Sequence, residues 1–142
     1  MPESPQIAPD LAHFNAAAAK LAAQYDTYKP FPDLAVNGKQ TLAENIAGLS
    51  AAYDAYRASL AGKGARVQNG FSGDQQFFLG FLQTWASKSS EAFLREQVMT
   101  DTHSPDGFRP VTVRNLDAWY AAFGVQPGEK LYLVPPDRVR IW

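Results

Sequence analysis

At 142 residues, with 46% hydrophobic and 19% charged side chains, the chain has the composition of an ordinary globular protein, long enough for one domain over residues 1–142. Its formal net charge of −1 gives no reason to expect nucleic acid as a partner, and the absence of cysteine excludes a disulfide framework or a thiolate metal site. No segment approaches the roughly 20 consecutive apolar residues that span a bilayer, and Met1–Asp10, with three prolines, does not read as a secretory signal. The chain as written is therefore expected to be soluble, with its compartment left open.

Taken in order, the periodicity predicts an all-α chain of about five helices with irregular loops and a non-helical C-terminal tail. Residues 9–28 place Leu11, Phe14, Ala18, Leu21, Tyr25 and Tyr28 at helical spacing along one stripe. Pro30 and Pro32 stop that helix, because proline lacks an amide donor and restrains the residue before it. Asn37-Gly38 is a turn signal. A second helix is predicted from Thr41 to Leu60, with Leu42, Ile46, Leu49, Tyr53 and Tyr56 as its apolar stripe.

Gly62, Gly64, Asn69 and Gly70 mark a loop, after which Ser72 and Asp74 can cap a third helix over 73–87. Its aromatic residues Phe77, Phe78, Phe81 and Trp85 are too many for one narrow stripe, so burial on more than one side is expected. A fourth helix is predicted over 89–99, capped by Ser89 or Ser90, with Phe93, Leu94 and Val98 inward. After an irregular stretch from His103 to Pro110, residues 113–123 read as a fifth helix closed by Gly124. The tail from Pro127 is too rich in proline for a helix.

Three residues stand out as carriers of chemistry, each with a plain structural alternative. Glu44 completes Thr41-x-x-Glu44, the spacing of a capping box in which each side chain satisfies an amide at a helix start. His103 is a loop histidine, most simply a solvated or hydrogen-bonded one. Arg109 follows it by six residues in Thr102-His103-Ser104-Pro105-Asp106-Gly107-Phe108-Arg109.

That stretch, with Glu44-Asn45-Ile46-Ala47 and the closing Pro136-Asp137-Arg138-Val139-Arg140-Ile141-Trp142, resembles the C-terminal catalytic segment of the neprilysin-like zinc metallopeptidases. The resemblance runs from about Leu11 to Trp142. It implies the C-terminal helical part of a peptidase domain, with Glu44 as a ligand of Zn2+, His103 as a donor to the oxyanion and Arg109 on a substrate backbone carbonyl. Asp101 would hold the His103 tautomer. The closing segment is expected to be structural, with Trp142 buried and the arginines in ion pairs.

The chain departs from the family in two ways. The His-Glu-x-x-His helix that supplies two zinc-binding histidines and a general base is absent, and the two histidines present, His13 and His103, are not followed by Glu. After Ala47 the family continues with an Asp that steadies a zinc-bound histidine, whereas Gly48 follows here. About three residues are missing, a shift of about 60° in helical phase at roughly 100° per residue. Asp54, ten residues after Glu44, lies on a different face.

Two expectations follow. One is a truncated or split member that hydrolyses short peptides only with a partner segment carrying His-Glu-x-x-His, and is inactive alone. The other is a non-catalytic helical module that binds peptides or proteins.

Overall fold

The computed structural model describes residues 7–60 and 66–141. It has five α-helices: α1 (Ile7–Asp26), α2 (Leu42–Leu60), α3 (Gly73–Gln83), α4 (Glu91–Thr100) and α5 (Asp117–Phe123). Short 3-10 turns occupy Pro110–Asn115 and Pro135–Asp137, and the only pairing of extended backbone among the described residues is two isolated bridges, Phe31 with Leu34 and Gln68 with Phe71. The expected fold class is what the chain adopts.

The core is built from side chains widely separated in sequence. Leu21 and Tyr25 of α1, Leu49 and Ala52 of α2, Phe78 of α3 and Trp119 and Tyr120 of α5 are buried together with Val113, Val139 and Ile141. Tyr56 stacks on Phe78 with ring centres 5.3 Å apart and meets Phe77 edge-on at 5.4 Å. Offset and edge-to-face pairs of this kind add to the apolar area they bury. Burial of Tyr25 pushes its phenol well above the usual range, so it stays neutral in the core.

The apolar stripes are less fully covered than their periodicity suggests. Leu11 and Phe14 of α1, Tyr53 of α2 and Phe93 of α4 are all exposed. Val98 is buried, so α4 turns one narrow edge inward and not the wider face expected from Phe93. Instead α4 is tied down by Arg95, which lies over the Phe31 ring at 4.2 Å and bonds both oxygens of Asp33, at 2.9 and 3.1 Å.

Local chemistry sets the helix ends. Ser72 caps α3 in a complete capping box with Gln75, and Ser90 caps α4 by accepting from the Phe93 amide. Helix α3 ends at Gln83, short of the expected residue 87. There the hydrogen bonds tighten to the i−3 pattern, Trp85 to Leu82 and Ala86 to Gln83, while the Thr84 hydroxyl bonds the Phe81 carbonyl.

The fifth helix is also shorter than expected. Pro110 starts a 3-10 turn that runs to Asn115, Leu116 breaks it with extended backbone, and α5 begins only at Asp117. Gly124 closes α5 in the left-handed conformation, φ 63°.

The closing segment is strapped to the body by its arginines. Arg138 pairs with Asp117 at 2.7 Å and sits over the Tyr120 ring at 3.5 Å, and Arg140 pairs with the second Asp117 oxygen. Trp142 lies outside the described residues.

Candidate functional site

Glu44 lies in the first turn of α2, and His103 lies in the loop between α4 and the 3-10 turn at Pro110. The fold brings them together: Glu44 Oε2 is 3.3 Å from His103 Nε2. The other ring nitrogen, Nδ1, is 2.8 Å from Asp101 Oδ1, which also accepts the His103 backbone amide at 2.8 Å. These two bonds from His103 hold the Asp101 carboxyl below its ordinary range, with the Arg109 charge adding to the effect. Only with a proton on each nitrogen can the ring donate to both carboxylates at once. All three side chains are partly open to solvent, Glu44 at 41% and His103 at 43%.

The capping box expected at Thr41-x-x-Glu44 is not formed. Thr41 is buried, and its hydroxyl donates to the Asn37 carbonyl at 2.9 Å while accepting from Asn45 Nδ2 at 2.9 Å. Asn37 closes the turn that leads into α2 by accepting the Gln40 amide. Freed from the helix start, the Glu44 carboxylate faces the loop.

Asn45 is the residue whose part the sequence did not reveal. Its Oδ1 accepts from the Ser104 hydroxyl at 2.8 Å, so a chain of bonds runs from buried Ser104 through Asn45 and Thr41 to the exposed Asn37. Ser104 and Asn45 are buried, and each is the immediate neighbour of a site residue, His103 or Glu44. The network therefore fixes the approach of the loop to α2. The only signal in the sequence was adjacency: a small polar residue beside each charged one.

Further along, Phe108 stacks on Tyr28 at 5.5 Å, and the Phe108 and Arg109 amides both bond the Pro105 carbonyl. Arg109 leaves this turn with its guanidinium carbon 4.1 Å above the centre of the Trp85 ring. It is near enough to the carboxylate of Asp101 to help lower its pKa. A separate cavity of about 460 Å3, lined by Leu49, Tyr56, Leu116, Val139 and Ile141 among others, includes neither Glu44 nor His103. It belongs to the contact between α2 and the closing segment.

The donor set bears on metal binding. A carboxylate such as that of Glu44 is a suitable zinc ligand, but catalytic zinc needs three protein ligands. Among the described residues, no group of three or more His, Cys, Asp or Glu is placed to hold an ion. The described residues therefore do not by themselves make a zinc site.

Residues 5–139 match peptidase family M13. The chain belongs to this family. It is 32% identical over 140 residues to Neprilysin-3 of Drosophila melanogaster, covering 93% of this chain and 17% of that protein. It is 38% identical over 114 residues to Endothelin-converting enzyme 1 of Homo sapiens, covering 75% and 14%. With the Neutral endopeptidase of Lactobacillus helveticus it shares 31% over 137 residues, covering 94% and 19%.

Among solved structures, the zinc metalloprotease Zmp1 of Mycobacterium tuberculosis in complex with an inhibitor superposes with a TM-score of 0.83 at 40% identity, over 92% of this chain and 22% of that one. The M13 chain thus spans less than a fifth of the length of these curated relatives. No helix among its described residues is long and apolar enough to cross a membrane.

Proposed function

We propose that this M13 chain forms part of a zinc-dependent peptidase site that hydrolyses peptide bonds in short peptides, and that it is inactive by itself. One observation carries the reading: Glu44 and His103, from elements far apart in sequence, meet at 3.3 Å with Asp101 on the opposite ring nitrogen. Glu44 would be one metal ligand, and the remaining ligands and the general base would come from a segment carrying His-Glu-x-x-His. Zinc, when bound, would act as a Lewis acid on the scissile carbonyl.

The roles of this chain's other residues follow from their donors. Asp101 keeps a proton on His103 Nδ1 and so fixes the ring's orientation. A protonated Nε2, turned from Glu44 toward substrate, can donate to an oxygen that gains negative charge as the carbonyl is attacked. Arg109 offers a planar fork of N–H donors to a backbone carbonyl on the same peptide.

The test is to purify the chain alone and together with an M13 segment bearing His-Glu-x-x-His, then to measure bound zinc and cleavage of a peptide library. Turnover is expected only from the pair. His103→Ala should slow it by about 10²–10³ while zinc stays bound, and Glu44→Ala should lose zinc. Stoichiometric zinc and turnover by the isolated chain would refute the claim of inactivity.

A second reading, a non-catalytic peptide- or protein-binding module, is favoured by Gly48, which stands where the family has a carboxylate one turn after Glu44. It predicts that the chain captures peptides without zinc and that the pair never turns over.

A further inference from the structure

Among the described residues, two arginines that lie over aromatic rings make no side-chain hydrogen bond: Arg57, exposed over Tyr53 at 5.6 Å, and Arg109, closer over its ring. Arg95 over Phe31, Arg114 over Tyr28 and Arg138 over Tyr120 are each also held by hydrogen bonds, to Asp33, to the Tyr28 hydroxyl and to Asp117 respectively. The guanidinium of Arg109 lies 4.1 Å over Trp85, and among the described residues no carboxylate or carbonyl bonds it. Its in-plane donors are therefore not spent within the described fold, while its plane is set by the indole face.

The position of Trp85 is itself a consequence of how α3 ends. Counted along a continuous helix, residue 85 would fall on the stripe of Phe78 and Phe81, at spacings of seven and four. Because the helix gives way to i−3 bonds after Gln83, Trp85 sits in a turn, its amide bonded to the Leu82 carbonyl at 3.2 Å. Its own polar atom does not explain the placement, since Nε1 is buried and finds no acceptor among the described residues. A buried indole usually has a partner for that N–H. What the ring does contact is the cation.

We propose that Trp85 is a positioning residue for Arg109: its indole face holds the guanidinium flat and at fixed height, so that the free N–H fork is presented to a peptide backbone carbonyl beside His103. This rests on the peptidase reading for the identity of the ligand, but not for the contact itself. An arginine without such a shelf would have to order its side chain on each binding event, at a cost to affinity.

The experiment therefore has two arms. On the chain alone, 15N relaxation of the Arg109 Nε–Hε group is compared between the unaltered protein, Trp85→Leu and Trp85→Phe. Order should fall in Trp85→Leu and survive in Trp85→Phe, which keeps an aromatic face and drops the unpartnered donor. Should Trp85→Leu fail to fold, Arg109→Gln probes the contact from the other side and should move the Trp85 Nε1–H resonance. An Arg109 equally ordered over leucine, or an indole resonance indifferent to Arg109→Gln, overturns the proposal.

In the pair with the His-Glu-x-x-His segment, Trp85→Leu should raise KM for short peptides about 3- to 10-fold with kcat within about twofold, and Trp85→Phe should restore most of it. An unchanged KM would also refute the positioning role. If the unaltered pair shows no turnover, it is the peptidase reading that fails, and the relaxation arm still decides the part played by Trp85.

Discussion

At the scale of single residues, the site depends on amides and hydroxyls as much as on charges. Asn45 satisfies Ser104 and Thr41 from one side chain in a place where water does not reach, and both partners are buried. Removing one member leaves its partners buried without a bond, which costs about 1–3 kcal/mol. Asn45→Ala and Ser104→Ala should each lower stability by that amount in urea titrations, and the double variant should fall short of the sum by about 1 kcal/mol, because both remove the same bond. Strict additivity would show that the two residues do not act together. The same residues show where spacing misleads. Thr41 and Glu44 have the interval of a capping box, yet the Thr41 hydroxyl oxygen accepts from the Asn45 side-chain amide at 2.9 Å. An interval in sequence states which bonds are possible, and the fold decides which of them forms.

At the scale of elements, α2 carries Glu44 in its first turn and a glycine one turn further on. Gly48 lies in its interior, one turn after Glu44, and beyond the adjoining helix backbone no atom lies within 4 Å of where a Cβ would stand. Gly48→Ala should therefore stabilise the chain by about 0.5–1 kcal/mol, read from the midpoint of thermal or urea unfolding. Gly48→Asp restores a carboxylate to that face. In the complemented pair it should tighten zinc by up to about 10–100-fold, measured by competition with a chelator. Unaltered zinc affinity would mean that the missing carboxylate does not limit the site.

Much of this layer was legible. The start of α3 at Ser72, the start of α4 at Ser90 and the stop of α5 at Gly124 are local events, written in the residues that cap them. What was not legible depends on contacts from elsewhere. Nothing local in the sequence separates a 3-10 turn at Pro110–Asn115 from the first turns of a longer fifth helix. The exposure of Phe93 could not be read either, since its face is decided by the attachment of Arg95 to Asp33. Of the candidate site, the residue types and their order were visible, whereas the approach of Glu44 to His103 was not, because α2 and the 101–109 loop are joined only through the fold.

At the scale of the whole molecule, the closing segment is held by charge at its rim and by apolar burial beneath. Asp117 receives both Arg138 and Arg140, and bonding to Arg138, followed by the two arginine charges, holds its carboxyl below the ordinary range. A carboxylate whose folded pKa is depressed contributes stability above its unfolded pKa and loses it as pH falls through the folded one. The strap should therefore be fully held at neutral pH and weaken as the pH drops through and below the usual carboxylate range near 4. Asp117→Asn should cost about 0.5–1 kcal/mol at pH 7 and flatten the acid limb of stability against pH. An unchanged acid limb would show that other carboxylates govern it.

Beneath that strap, Asn115 exchanges both amide bonds with Gln24 of α1 and accepts the Val139 amide at 2.8 Å. The Gln24–Asn115 pair spans 91 positions, the Tyr28–Arg114 bond 86 and the Tyr25–Phe108 bond 83. Each must close a long loop before it returns any free energy, whereas the contacts of a simple bundle close short ones. The first helix of the chain thus has no finished binding place until the last thirty or so residues have folded. In its folding kinetics this all-helical protein should resemble one built from sheets: rapid to form its turns, and slow to bring its two ends together.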